Sequence, residues 1–109
     1  MFQPRQLVCW DAGDRRLYAE VIQSIPARAR CWVRPLLLAM SADSGDVAQC
    51  QDLRTAPDLV WSASAFRLAL DTEAIPLLAL LPPTPTNDAQ ARRWLNQFLR
   101  QTWVRSAPH

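Results

Sequence analysis

Side chains that could do chemistry are few in this sequence. The single histidine, His109, is the last residue, and chain ends are usually mobile, so we expect no buried catalytic triad built on it. The chain has two glycines, Gly13 and Gly45, which are too few for a phosphate-binding loop. No nucleophile-elbow motif occurs either. The sequence therefore predicts a protein that is not an enzyme and that carries no cofactor.

The three cysteines, Cys9, Cys31 and Cys50, lie 22 and 19 residues apart. Because no C-x-x-C pair occurs, their spacing predicts no structural zinc site and no other bound metal. An odd number of cysteines, without a secretory signal at the start, is typical of a reducing compartment, so we expect free thiols and a cytoplasmic protein. Cys9 and Cys31 lie in apolar stretches, which favours burial. Cys50 lies in a polar stretch and is the thiol that could react.

Three pairs of carboxylates are close enough in sequence to cooperate. They are Asp11 with Asp14, Asp43 with Asp46, and Asp71 with Glu73. The first two pairs lie in segments with turn composition, where acidic side chains are usually solvated. The third pair lies where a helix would begin, and carboxylates are favourable there because they face the positive end of the helix dipole. None of the pairs predicts acid–base catalysis.

The elements that would position these side chains form a β-rich body over residues 1–81. Short apolar stretches with partial alternation predict its strands, at residues 6–10, 17–25, 31–40, 58–61 and 66–70. Short turns join the first three, and parallel pairing needs long crossovers, so we expect antiparallel neighbours. The predicted fold class is α+β, with a small bent antiparallel sheet of four or five strands, or an SH3-like barrel, and a C-terminal amphipathic helix.

Two segments of the body depart from regular strands. Residues 41–51 are polar and predict a surface loop. Pro35 interrupts the third strand, and we expect a bend, a bulge or an edge there because proline cannot donate to a ladder. After the last strand, Asp71 is predicted to cap a short helix over residues 72–81, a prediction that Pro76 weakens.

A proline-rich linker, residues 82–86, separates the body from a tail, residues 87–109, within what we predict to be a single domain. Apolar side chains recur through the tail at the spacing of one helix face. This stripe comprises Ala91, Trp94, Leu95, Phe98, Leu99, Thr102 and Trp103. The tail is therefore predicted to be an α-helix, with its arginines on the opposite, solvated face.

The tail helix needs a cap and a cover. Thr86 or Asn87 can cap its first turn. An isolated helix of this length is marginal in water, so its apolar stripe must pack against something. We expect it to pack on its own body, over the sheet face of Tyr18, Ile22 and Trp32. The alternative is that the linker carries it to a partner.

Several short strings along the chain carry a resemblance. They are LYAEVIQ from residue 17, CWVRPLLL from 31, DLR from 52, DLVW from 58, FR from 66, ALDTE from 69 and PL from 76. Over roughly residues 3–103 the chain resembles a family of small uncharacterised cyanobacterial proteins. The resemblance implies a cytoplasmic protein of a photosynthetic bacterium, and it implies no activity, cofactor or catalytic residue.

Composition favours binding over catalysis. All 12 basic residues are arginine and five residues are tryptophan, and both types are enriched where proteins bind each other. We therefore predict a non-enzymatic adaptor, or an assembly or regulatory factor, that binds another protein. The predicted contact residues are Arg34, Trp61, Phe66, Arg67, Arg93 and Arg100. In the alternative interpretation the aromatic rings fill the core, and the arginines pair with Asp52, Asp58 or Asp71.

The second function hypothesis is a small-barrel module that binds nucleic acid. Such barrels hold single strands with aromatic rings and a basic groove, and arginines of the tail helix could contact phosphates. A net charge of only +2, with acidic residues spread through the body, weighs against this hypothesis. No stretch approaches the ~20 apolar residues of a membrane span, so no span is expected.

Overall fold

Six β-strands and two α-helices make up the part of the chain that the computed structural model describes, residues 2–41, 47–85 and 88–106. The strands are β1 (Leu7–Ala12), β2 (Arg15–Ile25), β3 (Arg30–Ser41), β4 (Val47–Asp52), β5 (Leu59–Ser62) and β6 (Arg67–Leu68). The helices are α1 (Asp71–Leu78) and α2 (Ala89–Ser106). Single turns of 3-10 helix, at Pro26–Arg28 and Ala63–Ala65, follow β2 and β5.

The six described strands form one antiparallel sheet in the order β4-β3-β2-β1-β6, and β5 pairs with the same edge of β3 as β4 does. Neighbours in sequence pair because their connections are short, and Gly13 completes the β1–β2 turn with a φ of 62° that suits glycine. The predicted α+β class with an antiparallel sheet is confirmed. The sheet stays open, so the SH3-like barrel does not form, and it has six strands rather than four or five.

Pro35 divides β3 into two halves, as its missing N–H predicts. Against β2, the register moves from Tyr18 opposite Leu37 to Ala19 opposite Pro35, which leaves one extra residue on β3 as a bulge. On the other edge, β5 pairs with the half before the proline and β4 with the half after it. On that edge the proline therefore lies between the two ladders, while on the other edge it is opposite Ala19 of β2.

The prediction of a surface loop over residues 41–51 is wrong where β4 forms; residues 42–46 lie outside the described part. β4 runs along the sheet edge and pairs only with β3 among the described strands. An edge strand leaves polar side chains in water, so its composition resembles that of a loop. Cys50 consequently lies in a strand, half-buried, rather than in a polar loop.

Each face of the sheet carries its own core. The first core packs Leu17, Val21 and Val33 against α2, through buried residues that include Leu95 and Phe98. The second core packs side chains of the opposite face, Cys9, Tyr18, Leu37 and Ala39, against Ala74 and Leu77 of α1. The expected cover of the Tyr18 face by the tail helix is therefore wrong. α1 covers that face, because it follows the edge strand β6 directly, and α2 covers the other.

The helix ends differ from the predicted ends. At α1, Asp71 is an exposed first residue rather than the cap, and the Glu73 carboxylate accepts the N–H of Leu70 at 2.9 Å. α1 ends at Leu78, short of residue 81. At α2, Asp88 accepts the N–H of Gln90 at 2.9 Å and satisfies a first-turn donor. The predicted caps, Thr86 and Asn87, lie outside the described residues.

Candidate functional site

The aromatic residues of the predicted site belong to the first core. Trp10 of β1 lies at the centre of an aromatic cluster, with ring centroids of Trp61, Phe66 and Phe98 at 5.1, 5.6 and 5.0 Å. Phe66 is 7% exposed and Trp61 is half-buried, so both pack on the first core, as in the alternative interpretation, and Phe66 is not available as a contact residue. The 3-10 turn between β5 and β6 brings these two rings into contact with Trp10. Because Trp10 lies far from them in the sequence, the sequence alone does not reveal this contact. They position elements rather than present a surface.

Arg67 of β6 is the centre of an ion-pair cluster on the second face. Its Nε donates to Asp11 Oδ2 at 2.6 Å and its Nη1 to Glu73 Oε1 at 2.6 Å. Its Nη2 lies 3.2 Å from the second oxygen of each carboxylate and donates to Cys9 Sγ at 3.5 Å. Both edges of the guanidinium are thus engaged, in bidentate pairs with carboxylates other than the predicted Asp52, Asp58 or Asp71.

The cluster ties α1 to the sheet and leaves no activated nucleophile. Arg16 lies 3.3 Å from Asp11 and 3.8 Å from Glu73, so two guanidinium groups face two carboxylates. Hydrogen bonds from Arg67 lower the pKa of both carboxyl groups. Burial, reinforced by Asp11, raises the pKa of the Cys9 thiol to about 12. This thiol therefore stays protonated at neutral pH, which makes it a poor nucleophile.

A tyrosine completes the buried side of the cluster. Burial, reinforced by the neighbouring Cys9, raises the pKa of Tyr18 to about 12, although Arg16 acts to lower it. A phenol with that pKa stays neutral at physiological pH. This arrangement fits a structural tie between β1, β2, β6 and α1 better than an acid–base site.

The second face is covered by α1 only in part, and its uncovered half carries large exposed side chains. We call this half the open face and define it by Glu20, Trp32, Arg34, Asp58 and Val60. Trp32 of β3 is 36% exposed, and its cross-strand partner on β5, Val60, is 47% exposed. The Trp32 indole N–H donates to Asp58 Oδ2 at 3.2 Å. The open face therefore places an oriented tryptophan in contact with solvent.

Arg34 lies beside Trp32 between two carboxylates. Its guanidinium is 3.8 Å from Glu20 and 3.9 Å from Asp58, and its side chain is 53% exposed. Ion pairs this long and exposed contribute little to stability, so Arg34 can exchange these partners for an external carboxylate. Among the six predicted contact residues, Arg34 is the one that lies on the open face.

Arg93 and Arg100 lie on the exposed side of α2, which packs on the other face of the sheet. No acidic residue occurs from Ala89 to the end of the chain, so this side of the helix is basic. Arg15 of β2 joins it from the sheet, because its guanidinium lies 5.5 Å over the Trp94 ring and its Nη1 is 3.5 Å from Gln97 Oε1. The predicted contact residues are therefore divided between the first core, the Arg67 cluster and two opposite faces.

Sequence reasoning missed Trp32 and Val60 as surface residues. The alternation of β3 contained the signal, because Cys31 and Val33 point into the first core and Trp32 must then point away, with Arg34. Alternation along β3 does not predict how much of this face α1 covers. That helix is only eight residues long and leaves this half of the face uncovered.

Neither a metal-binding cluster nor a membrane-spanning helix is found among the described residues. There, no group of three or more His, Cys, Asp or Glu side chains is arranged to hold a metal ion. No described helix has the length and apolar character to cross a membrane. Burial and the nearby Asp52 raise the pKa of the Cys50 thiol, which disfavours its reactive thiolate form.

Comparison with known proteins gives no match. No family model, no curated protein and no solved structure matches this chain. Any functional proposal therefore depends on the geometry of the chain's own residues, and the open face offers an exposed tryptophan and an exposed arginine that both contact Asp58.

Proposed function

We propose that this protein is a non-enzymatic, cytoplasmic protein-binding module, an adaptor or assembly factor, that contacts its partner through the open face. The observation that carries the proposal is the exposure of Trp32 and Val60 as direct cross-strand neighbours. Single exposed apolar residues are ordinary on protein surfaces. A tryptophan with an apolar neighbour and an adjacent arginine is instead typical of the residues that dominate binding energy at interfaces.

Charge supports a protein partner over a nucleic acid at this surface. Glu20 and Asp58 flank Trp32 and Arg34, and both would repel phosphates. Protein interfaces commonly combine an apolar centre with a polar rim of both signs. The open face has this arrangement, with Trp32 and Val60 at its centre.

The basic side of α2 supports a second candidate function, nucleic-acid binding. Its supporting observation is the absence of acidic residues from Ala89 onward together with the exposure of Arg93 and Arg100. Non-specific binding of single strands also uses aromatic rings for stacking. In the described part of α2, Trp94 is half-buried and covered by Arg15, which lessens its use as a stacking platform.

Affinity capture at low salt tests the proposal. The immobilised full chain is exposed to native extract with and without nuclease, and the retained protein is then purified and titrated against variants. Trp32→Ala is expected to weaken binding by about 2 kcal/mol or more, roughly 30-fold in Kd. Ile75→Ala, an exposed apolar residue on α1, is the matched control and should leave the Kd within about twofold.

Arg34→Glu provides a second variant that does not alter packing, since Arg34 is exposed. It should weaken binding by reversing the charge offered to the partner, while the melting temperature stays close to that of the parent. A partner that binds Trp32→Ala and Arg34→Glu as tightly as the parent refutes the open face as the contact surface. Release of the captured material by nuclease supports the second candidate instead.

A further inference from the structure

A groove of about 440 Å³ opens at the end of the sheet where β2 turns into β3. Its walls are mainly apolar and include Phe2, Pro26, Ala29 and Ala63. Arg30 is the one charged side chain among its lining residues. The volume is within the range of sites that bind small ligands, roughly 300–1,000 Å³.

The surroundings of the groove are basic. The three segments that contribute its walls, residues 2–6, 24–30 and 62–66, contain Arg5, Arg28 and Arg30 and no acidic residue. Within the described residues none of these three arginines makes an ion pair, and all three are exposed. Four other arginines, at positions 16, 34, 54 and 67, each have a carboxylate partner within 4.0 Å. The groove therefore offers an exposed arginine that has no ion-pair partner among the described residues.

Backbone hydrogen bonds hold the groove open without a ligand. Ala29 adopts a left-handed conformation, with a φ of 52°, that non-glycine residues rarely occupy. It is held there because its N–H donates to Pro26 at 3.1 Å and its carbonyl accepts from Ala63 at 2.9 Å. The Ser24 hydroxyl donates to the Phe2 carbonyl and ties the first segment to the second. This left-handed residue ends the 3-10 turn Pro26–Arg28 and fixes the backbone along the wall of the groove.

We propose that this groove binds the C-terminal residue of a partner polypeptide, with an apolar side chain between Phe2 and Ala63 and the α-carboxylate on Arg30. A C-terminal residue carries an apolar group and a carboxylate on one Cα, which matches a mainly apolar groove lined by a single cation. An internal Asp or Glu has the charge without the apolar group. A guanidinium holds a carboxylate through two parallel hydrogen bonds, which gives the contact its direction.

This inference deepens the proposed protein-binding function, because Arg30 of the groove lies on the same strand, β3, as Trp32 of the open face. Arg30 pairs with Ser62 in the β3–β5 ladder, two positions from the Trp32–Val60 pair. A partner that lies on the open face can therefore place its chain end in the groove. The open face supplies most of the contact, and the groove selects the end of the chain.

The test uses the full chain and two synthetic peptides, acetyl-Ser-Gly-Ser-Leu with a free carboxylate and the same peptide as its C-terminal amide. Amide chemical-shift changes in a ¹⁵N-labelled sample report both the affinity and the place of binding. We expect saturable shifts at Ala29, Arg30 and Ser64 with the free carboxylate. The amide peptide should bind at least tenfold more weakly, because it lacks the charge that Arg30 recognises.

Two variants separate the groove from a general attraction of anions. Arg30→Gln keeps the exposed position but removes the charge, and should weaken carboxylate binding at least tenfold. Arg92→Gln, at an exposed position on α2, is the matched control and should leave it unchanged. Equal binding of the amide peptide, equal binding by Arg30→Gln, or shifts confined to α2 overturns the inference.

The outcome is separable from that of the proposed function. If neither peptide binds while Trp32→Ala still abolishes capture of the partner, this inference fails and the open face stands. If the carboxylate peptide binds the groove while the partner binds Trp32→Ala and Arg34→Glu with the Kd of the parent, this inference holds and the open-face proposal fails.

Discussion

Replacing Phe98 by alanine measures how strongly α2 is held to the sheet. Phe98 is 1% exposed, and its ring lies edge-on to Trp10, with centroids 5.0 Å apart and planes at 77°. Removing a buried phenylalanine costs about 3–5 kcal/mol in lost transfer free energy and cavity formation, and this includes an aromatic contact of about 0.5–1.5 kcal/mol. That loss is a large share of a typical total stability of about 5–15 kcal/mol.

The assay is urea unfolding followed by tryptophan fluorescence, with a thermal melt beside it. For a chain of 109 residues, Phe98→Ala should lower the melting temperature by about 12–25 °C. Arg100→Ala, exposed two residues along the same helix, is the control and should change the free energy of unfolding by less than about 0.5 kcal/mol. Truncation before Pro83 should destabilise the body further, because it uncovers the whole first core. A Phe98→Ala loss below about 1 kcal/mol would show that α2 does not pack as described.

Two further predictions concern the Arg67 cluster. The lowered pKa of Asp11 and Glu73 means that their pairing adds stability that is complete above about pH 5 and is lost as the pH falls through their folded-state values. Arg67→Met should therefore lower the urea midpoint at pH 7 and flatten its decrease between pH 5 and pH 3; an unchanged slope would exclude the cluster as its source. The second prediction is that Cys9, with its pKa raised to about 12, reacts with an aromatic disulfide reagent at pH 8 only on unfolding, more slowly than the half-buried Cys50. Labelling of Cys9 in the native protein before Cys50 would contradict this.

Local chemistry made much of the fold predictable. The turn at Gly13, the bulge beside Pro35 and the helical period of the tail each depend on a few neighbouring residues, and each lies where the sequence indicates. β4 was missed because an edge strand can be as polar as a loop. The helix that packs on each sheet face was not predictable. Alternation along the strands assigns side chains to two faces, but it does not indicate which face α1 covers and which face α2 covers.

The candidate site was predictable only where one strand determines it. Arg34 points away from Cys31 and Val33, as alternation along a single strand indicates, and this alternation depends only on neighbouring residues of β3. The ion pair of Arg67 involves Asp11, 56 residues away in the sequence, and sequence alone does not reveal such a contact. The burial of Phe66 likewise depends on Trp10 of a strand far earlier in the chain.

The division of β3 by Pro35 has a consequence for how the sheet opens. β5 and β4 lie end to end along one edge of β3, and neither is hydrogen-bonded to the other among the described strands. Loss of β5 therefore need not disturb β4, and each half of the edge can open as a separate cooperative unit. Amide hydrogen exchange along this edge of β3 should show two opening free energies, one for the residues before Pro35 and one for the residues after it. The half of β3 that carries Trp32 is paired with β5, the shorter of the two strands. This half can therefore open transiently while the rest of the sheet stays closed.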